Sequence, residues 1–90
     1  MAIGLIFSGS GVTESQYRQV LDQVSPGNQP PPSMLYHAAG PSENGFCVIE
    51  VWESQEVATR FFEEQLGSAL DAAGINVQPV LFEVSNTMKA

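Results

Sequence analysis

The sequence predicts an α+β domain of order β-α-β-β-α-β, with one four-stranded antiparallel sheet and both helices on one of its faces. Three observations carry this. Apolar residues alternate with a period of two near residues 3–7, 34–39, 46–52 and 80–84. Two stretches between them, 14–24 and 55–73, repeat apolar residues at helical spacing. Glycine and proline clusters fall at the junctions.

Strand 1 is the run in which Ile3, Leu5 and Phe7 alternate with Gly4, Ile6 and Ser8, ended by Ser8-Gly9-Ser10-Gly11. The first helix opens on Thr13-Glu14-Ser15-Gln16, a capping box in which the Thr13 hydroxyl and the Gln16 side chain each satisfy a free N–H. Val12 and Tyr17 occupy the positions of a hydrophobic staple, and Tyr17, Val20, Leu21 and Val24 form one stripe. Pro26-Gly27 ends it, and Pro30-Pro31-Pro32 delivers the chain stiffly into the next strand.

Strand 2 (34–39) and strand 3 (46–52) read as a hairpin across the turn-rich segment 40–45. Ser54 caps the second helix, whose buried stripe is Ala58, Phe61, Phe62, Leu66, Ala69, Leu70 and Ala73. Gly67 predicts a kink or a break there, and Gly74 with Ile75 behind it fits the C-terminal cap. Val80, Phe82 and Val84 mark strand 4. Right-handed crossovers place both helices on one sheet face.

The 90 residues make a single domain, 1–90, burying about 60–65% of the unfolded surface. Ten acids against three bases give a net charge of −7, which argues against nucleic acid and anionic membrane surfaces as partners. The single cysteine, Cys47, cannot form an internal disulfide, and residues 1–7 lack the basic start of a signal peptide, so a cytoplasmic location is expected. With one histidine, one cysteine and no spaced ligand cluster, neither a metal nor a cofactor is expected. Ser8-Gly9-Ser10-Gly11 lacks the Gly-Lys-Ser/Thr ending of a phosphate loop.

A hairpin register pairing Ala39 with Phe46, His37 with Val48 and Leu35 with Glu50 puts Met34, Tyr36, Ala38, Cys47, Ile49 and Val51 on one face. Leu35, His37, Ala39, Phe46, Val48, Glu50 and Trp52 share the other. The first set, Cys47 included, is expected under the helices. Both faces are too apolar for water, and two helices cover one, so a homodimer is expected to cover the other.

The stretch Gly45-Phe46-Cys47-Val48-Ile49-Glu50-Val51-Trp52-Glu53-Ser54, preceded by His37 and followed by Phe61, Leu66 and Ala73-Gly74, resembles small members of the dimeric α/β-barrel superfamily, the antibiotic-biosynthesis monooxygenase-like group. The resemblance covers essentially the whole chain. It implies a ferredoxin-like fold and a dimer in which two sheets face each other with the helices outside. It also implies cofactor-free oxygenase, haem-degrading, dehydratase or sensory roles. The asparagine on strand 1 and the histidine on the second helix that mark the haem-degrading branch are missing here.

The chemistry-bearing candidates are His37, whose residue type titrates near a pKa of about 6.5, and Glu50, a carboxylate between Val48 and Trp52 on an apolar strand. They read as acid/base and orienter, with Trp52, Phe46, Val48 and Tyr36 as ligand-binding neighbours. An apolar pocket between sheet and helices would then take a small apolar or aromatic molecule, for cofactor-free oxygenation or proton transfer. The competing reading is a non-catalytic dimeric structural or ligand-sensing module, in which His37 and Glu50 only stabilise the interface. Tyr17 reads as a staple residue and Cys47 as an inert apolar filler.

Overall fold

The computed structural model describes residues 1–88. Its elements are β1 (Ile3–Ser10), α1 (Glu14–Val24), a short 3-10 turn (Pro26–Asn28), β2 (Met34–Ser42), β3 (Gly45–Trp52), α2 (Gln55–Phe61), a π turn (Phe62–Leu66), α3 (Gly67–Ala72) and β4 (Val80–Glu83). The sheet order is β2-β3-β1-β4, and every neighbouring pair is antiparallel. This is the ferredoxin-like βαββαβ arrangement.

Local chemistry sets the helix ends. At α1 the Gln16 N–H donates to Thr13 Oγ1 at 3.2 Å, and the Thr13 N–H donates to Gln16 Oε1 at 2.9 Å, completing the capping box. Ser54 Oγ accepts the Val57 N–H at 3.3 Å at the start of α2. After α3 the Ile75 N–H reaches Leu70 O at 2.9 Å, and the Gly74 N–H reaches Asp71 O at 3.1 Å. With Gly74 at φ 74°, this is a Schellman closure.

The irregularity foreseen near Gly67 takes the form of a π turn, which separates α2, ending at Phe61, from α3, beginning at Gly67. The backbone stays helical from α2 through α3, and the Gly67 N–H bonds Phe62 O, five residues back. One extra residue is absorbed as a π turn, which lets Phe61, Leu66 and Ala69 all face inward.

The hairpin register departs from expectation by two residues. His37 pairs with Glu50, Ala39 with Val48 and Pro41 with Phe46, and β2 runs on to Ser42. Only Glu43 and Asn44 form the turn, with Gly45 at φ 149° taking the conformation the tight reversal demands. Pro41 and Gly40 are tolerated because β2 is an edge strand. A two-residue slip preserves the alternation, so most faces keep their members. The exception is a bulge at Leu35, which brings Met34 opposite Trp52 and against the core.

The two faces are reversed relative to expectation. Ile3, Leu5, Trp52, Phe46 and Glu50 are buried beneath the helices, joined by Val20, Ala58, Phe61, Leu66, Ala69 and Ile75. Trp52 is 1% exposed, and its ring lies 5.1 Å from that of Phe61. The other face carries Ile6, Tyr36, Ile49, Val80 and Phe82 in the open, with Cys47 half-buried among them rather than under the helices. The β1–β3 register decides this. It sets Ile3 opposite Trp52, Leu5 opposite Glu50 and Phe7 opposite Val48, joining the larger apolar half of each strand. No helix is long and apolar enough to cross a membrane among the described residues.

Candidate functional site

Between the inner sheet face and the helices lies a cavity of about 460 Å³. Its walls are mostly apolar: Phe7, Val48 and Phe46 from the sheet, Val20, Leu21 and Val24 from α1, and Phe61, Leu66 and Leu70 from the second helix. The loop bearing Pro30 and Pro31 borders it on another side. Tyr17, His37 and Glu50 supply titratable groups to the lining. An apolar chamber with a few convergent polar groups is the form small-molecule sites take.

Those polar groups form a continuous chain. Trp52 Nε1–H donates to Glu50 Oε1 at 3.0 Å. Glu50 Oε2 lies 3.0 Å from His37 Nδ1, and His37 Nε2 lies 2.7 Å from the Tyr17 hydroxyl. An ionised carboxylate only accepts, so Nδ1 carries a proton. In the neutral imidazole Nε2 is then an acceptor, and the Tyr17 O–H donates to it. Every donor and acceptor in the chain is matched, and no buried side-chain nitrogen or oxygen lacks a partner among the described residues.

Each member is placed by its element. Glu50 and Trp52 are two apart on β3, hence on one face. His37 is the direct cross-strand partner of Glu50. Tyr17 sits one turn into α1, its N–H bonded to Thr13 O at 3.1 Å. Gln16 Nε2 ties that first turn to Ala73 O at 3.0 Å, so α1 is fixed against the end of α3. The Tyr17 ring also lies 4.9 Å from the Phe46 ring.

Burial governs the electrostatics. The Glu50 side chain is 8% exposed and that of His37 26% exposed, so the carboxylate is the desolvated member and depends on its two donors. The Tyr17 phenol is pushed above its usual range, first by desolvation and further by the Glu50 charge, against the Arg18 guanidinium, which lowers it. That guanidinium sits 5.8 Å from the Tyr17 ring centroid.

The residues singled out in the sequence thus divide. His37, Glu50, Phe46 and Val48 meet at the cavity. Trp52 does not line it; it lies sealed in the core, hydrogen-bonded to Glu50 and packed against Phe61 behind the wall. Tyr36 borders the mouth but is 57% exposed on the outer face. Sequence reasoning missed Tyr17. The capping box fixed its place on α1, but its meeting with His37 is a contact across 20 residues that periodicity does not show. No group of three or more metal-ligating side chains occurs among the described residues.

No family model matches the chain, and no curated protein matches it. Solved structures do. A candidate antibiotic biosynthesis monooxygenase from Chloroflexus aurantiacus superposes with a TM-score of 0.69 at 12% identity, over 99% of this chain and 98% of the other. A candidate antibiotic biosynthesis monooxygenase from Deinococcus radiodurans gives 0.65 at 17% identity, over 100% and 98%. A mutant of SnoaB, a cofactor-independent oxygenase from Streptomyces nogalater, gives 0.65 at 15% identity, over 99% and 96%. The chain therefore has the fold of the antibiotic biosynthesis monooxygenase-like structures along its full length.

Proposed function

We propose that the protein takes a small apolar or aromatic molecule into the cavity and moves a proton on it, with His37 as the acid/base and Glu50 holding the imidazole. The observation that carries this reading is the Glu50–His37 pair, 3.0 Å apart, at the edge of an apolar chamber of about 460 Å³. A carboxylate that fixes the tautomer of a cavity-side histidine is the working core of many acid/base sites. Proton abstraction is the step common to isomerisation and to oxygenation without a cofactor. A structural neighbour that is a cofactor-independent oxygenase supports the second of these.

The same reading makes the protein a homodimer. Ile49 is 43% exposed, Phe82 47% and Val80 63%, all on the outer sheet face, which no helix among the described residues covers. A second copy packed face to face would bury them, and a two-fold pairing is the commonest way to do so.

The test uses N-phenyl-1-naphthylamine, a neutral apolar fluorophore, together with native mass spectrometry of the purified protein. Saturable binding that is lost in Val48→Trp, a variant that fills the chamber, supports the reading. Absence of binding in the unmodified protein, or binding unaffected by Val48→Trp, would remove the chamber from the function. A monomer in the native spectrum would remove the dimer.

A further inference from the structure

We propose that Tyr17, not His37, is the group that touches the occupant of the cavity, and that the occupant is a neutral molecule bearing a weakly acidic O–H, or a C–H beside a carbonyl. The proposal rests on the reading that the chamber holds a molecule on which a proton moves.

Both imidazole nitrogens are already engaged. Nδ1 faces Glu50 Oε2 at 3.0 Å and Nε2 faces the Tyr17 hydroxyl at 2.7 Å. A ligand that bonded His37 directly would have to break one of these contacts. Among the described residues the Tyr17 hydroxyl meets His37 alone, and Tyr17 is one of the residues that line the cavity. A hydroxyl accepts as well as donates, so it retains lone-pair capacity toward an occupant.

The proton route balances. The ligand's acidic O–H or C–H bond breaks, and its proton forms a new O–H bond on Tyr17. In the same step the former Tyr17 proton passes to His37 Nε2. Tyr17 ends neutral, the imidazole becomes an imidazolium against Glu50, and the ligand carries the negative charge. The Tyr17 O–H then donates to the new ligand anion, and the reverse step returns the proton.

Charge selects the ligand class. No Lys or Arg lines the chamber among the described residues, and Glu50 carries a negative charge at its polar end. The charged and titratable groups facing Tyr17 are His37, Glu50 and Arg18, the last over the ring rather than in the chamber wall. A ligand that enters as an anion would meet Glu50 without a countercharge. One that enters neutral acquires its charge only as the imidazole becomes positive.

The probe is 4-nitrophenol, a neutral acid whose ionised form is yellow, with N-phenyl-1-naphthylamine reporting that the chamber is intact. In the unmodified protein the bound nitrophenol is more ionised than the free probe at the same pH. Tyr17→Phe lowers the ratio of ionised to neutral bound probe about tenfold, the loss of one hydrogen bond to a charged group. His37→Gln, which removes the final acceptor, lowers it likewise. If Tyr17→Phe still binds the naphthylamine and the nitrophenol ratio is unchanged, the proposal is overturned. If neither probe binds the unmodified protein, the cavity reading itself has failed. Should Tyr17→Phe lose both probes, ring-labelled tyrosine in the unmodified protein decides. The Tyr17 resonance must move with probe ionisation, and a His37 that gains a proton while Tyr17 stays still overturns the proposal.

Discussion

The indole N–H of Trp52 holds Glu50 Oε1 at 3.0 Å from two positions further along the same strand. This contact explains how a carboxylate survives in an apolar interior. One oxygen is satisfied from within β3 and the other from β2 through His37, and the tryptophan ring meanwhile fills the core against Phe61.

Replacing Trp52 by Phe removes the donor and leaves one buried carboxylate oxygen unpaired. The expected loss is about 1–3 kcal/mol from the unmade hydrogen bond, with a further cost from the smaller ring. Urea unfolding followed by circular dichroism measures it. A variant within about 0.5 kcal/mol of the unmodified protein, the range of an ordinary surface change, would show that the Trp52–Glu50 bond is not structural.

Glu50→Gln is predicted to move a proton rather than unfold the chain. Trp52 N–H still requires an acceptor, so the amide oxygen turns to it and the amide NH2 faces His37 Nδ1. Nδ1 must then accept, the imidazole proton shifts to Nε2, and His37 becomes a donor to Tyr17. Nitrogen-15 shifts of the imidazole distinguish the two tautomers. A histidine that keeps its proton on Nδ1 in the variant would contradict the chain of donors.

On the outer face, Phe82 lies over Gly4, where a Cβ would collide with its ring. Gly4→Ala is therefore expected to push Phe82 and the short β4 strand away, costing about 1–3 kcal/mol. Ile49→Lys, which puts a charge in the middle of the same face, is expected to leave the fold intact and yield a monomer. Sedimentation velocity reads the second outcome, and a dimer undisturbed by Ile49→Lys would place the interface elsewhere.

How much of this was legible in the sequence differs by scale. The capping box at Thr13, the Ser54 cap and the Gly74 closure are local, and each stands where its residues put it. The alternation of β3 grouped Phe46, Val48, Glu50 and Trp52 correctly, because parity survives a two-residue slip. The side that group faces was not legible. It depends on which residues of β1 meet β3, from Ser10 with Gly45 to Ile3 with Trp52, far apart in sequence, and both halves of β3 are apolar. The bulge at Leu35 leaves no mark in an apolar run. The Tyr17–His37 contact joins a helix to an edge strand, and nothing in either segment names the other. The carboxylate was the informative residue: a single Glu on an apolar strand marked the position through which the Trp52–Glu50–His37–Tyr17 chain of contacts runs.

The phenol of Tyr17 gives the last prediction, at alkaline pH. Burial, reinforced by the Glu50 charge, raises its pKa in the folded state, and Arg18 opposes this. Above the usual tyrosine value of about 10, the unfolded chain gives up the proton first, so unfolding there releases a proton. The stability that comes from keeping Tyr17 protonated is complete below about pH 10 and declines as the pH rises through the folded value. Tyr17→Phe has no proton to lose, so the stability difference between the unmodified protein and the variant should be flat below about pH 10 and shrink above it. Arg18→Ala removes the one influence that lowers the pKa and should shift the Tyr17 titration upward, read by ultraviolet absorbance of the phenolate. An unchanged titration would mean that Arg18 does not act on the Tyr17 ring it overlies.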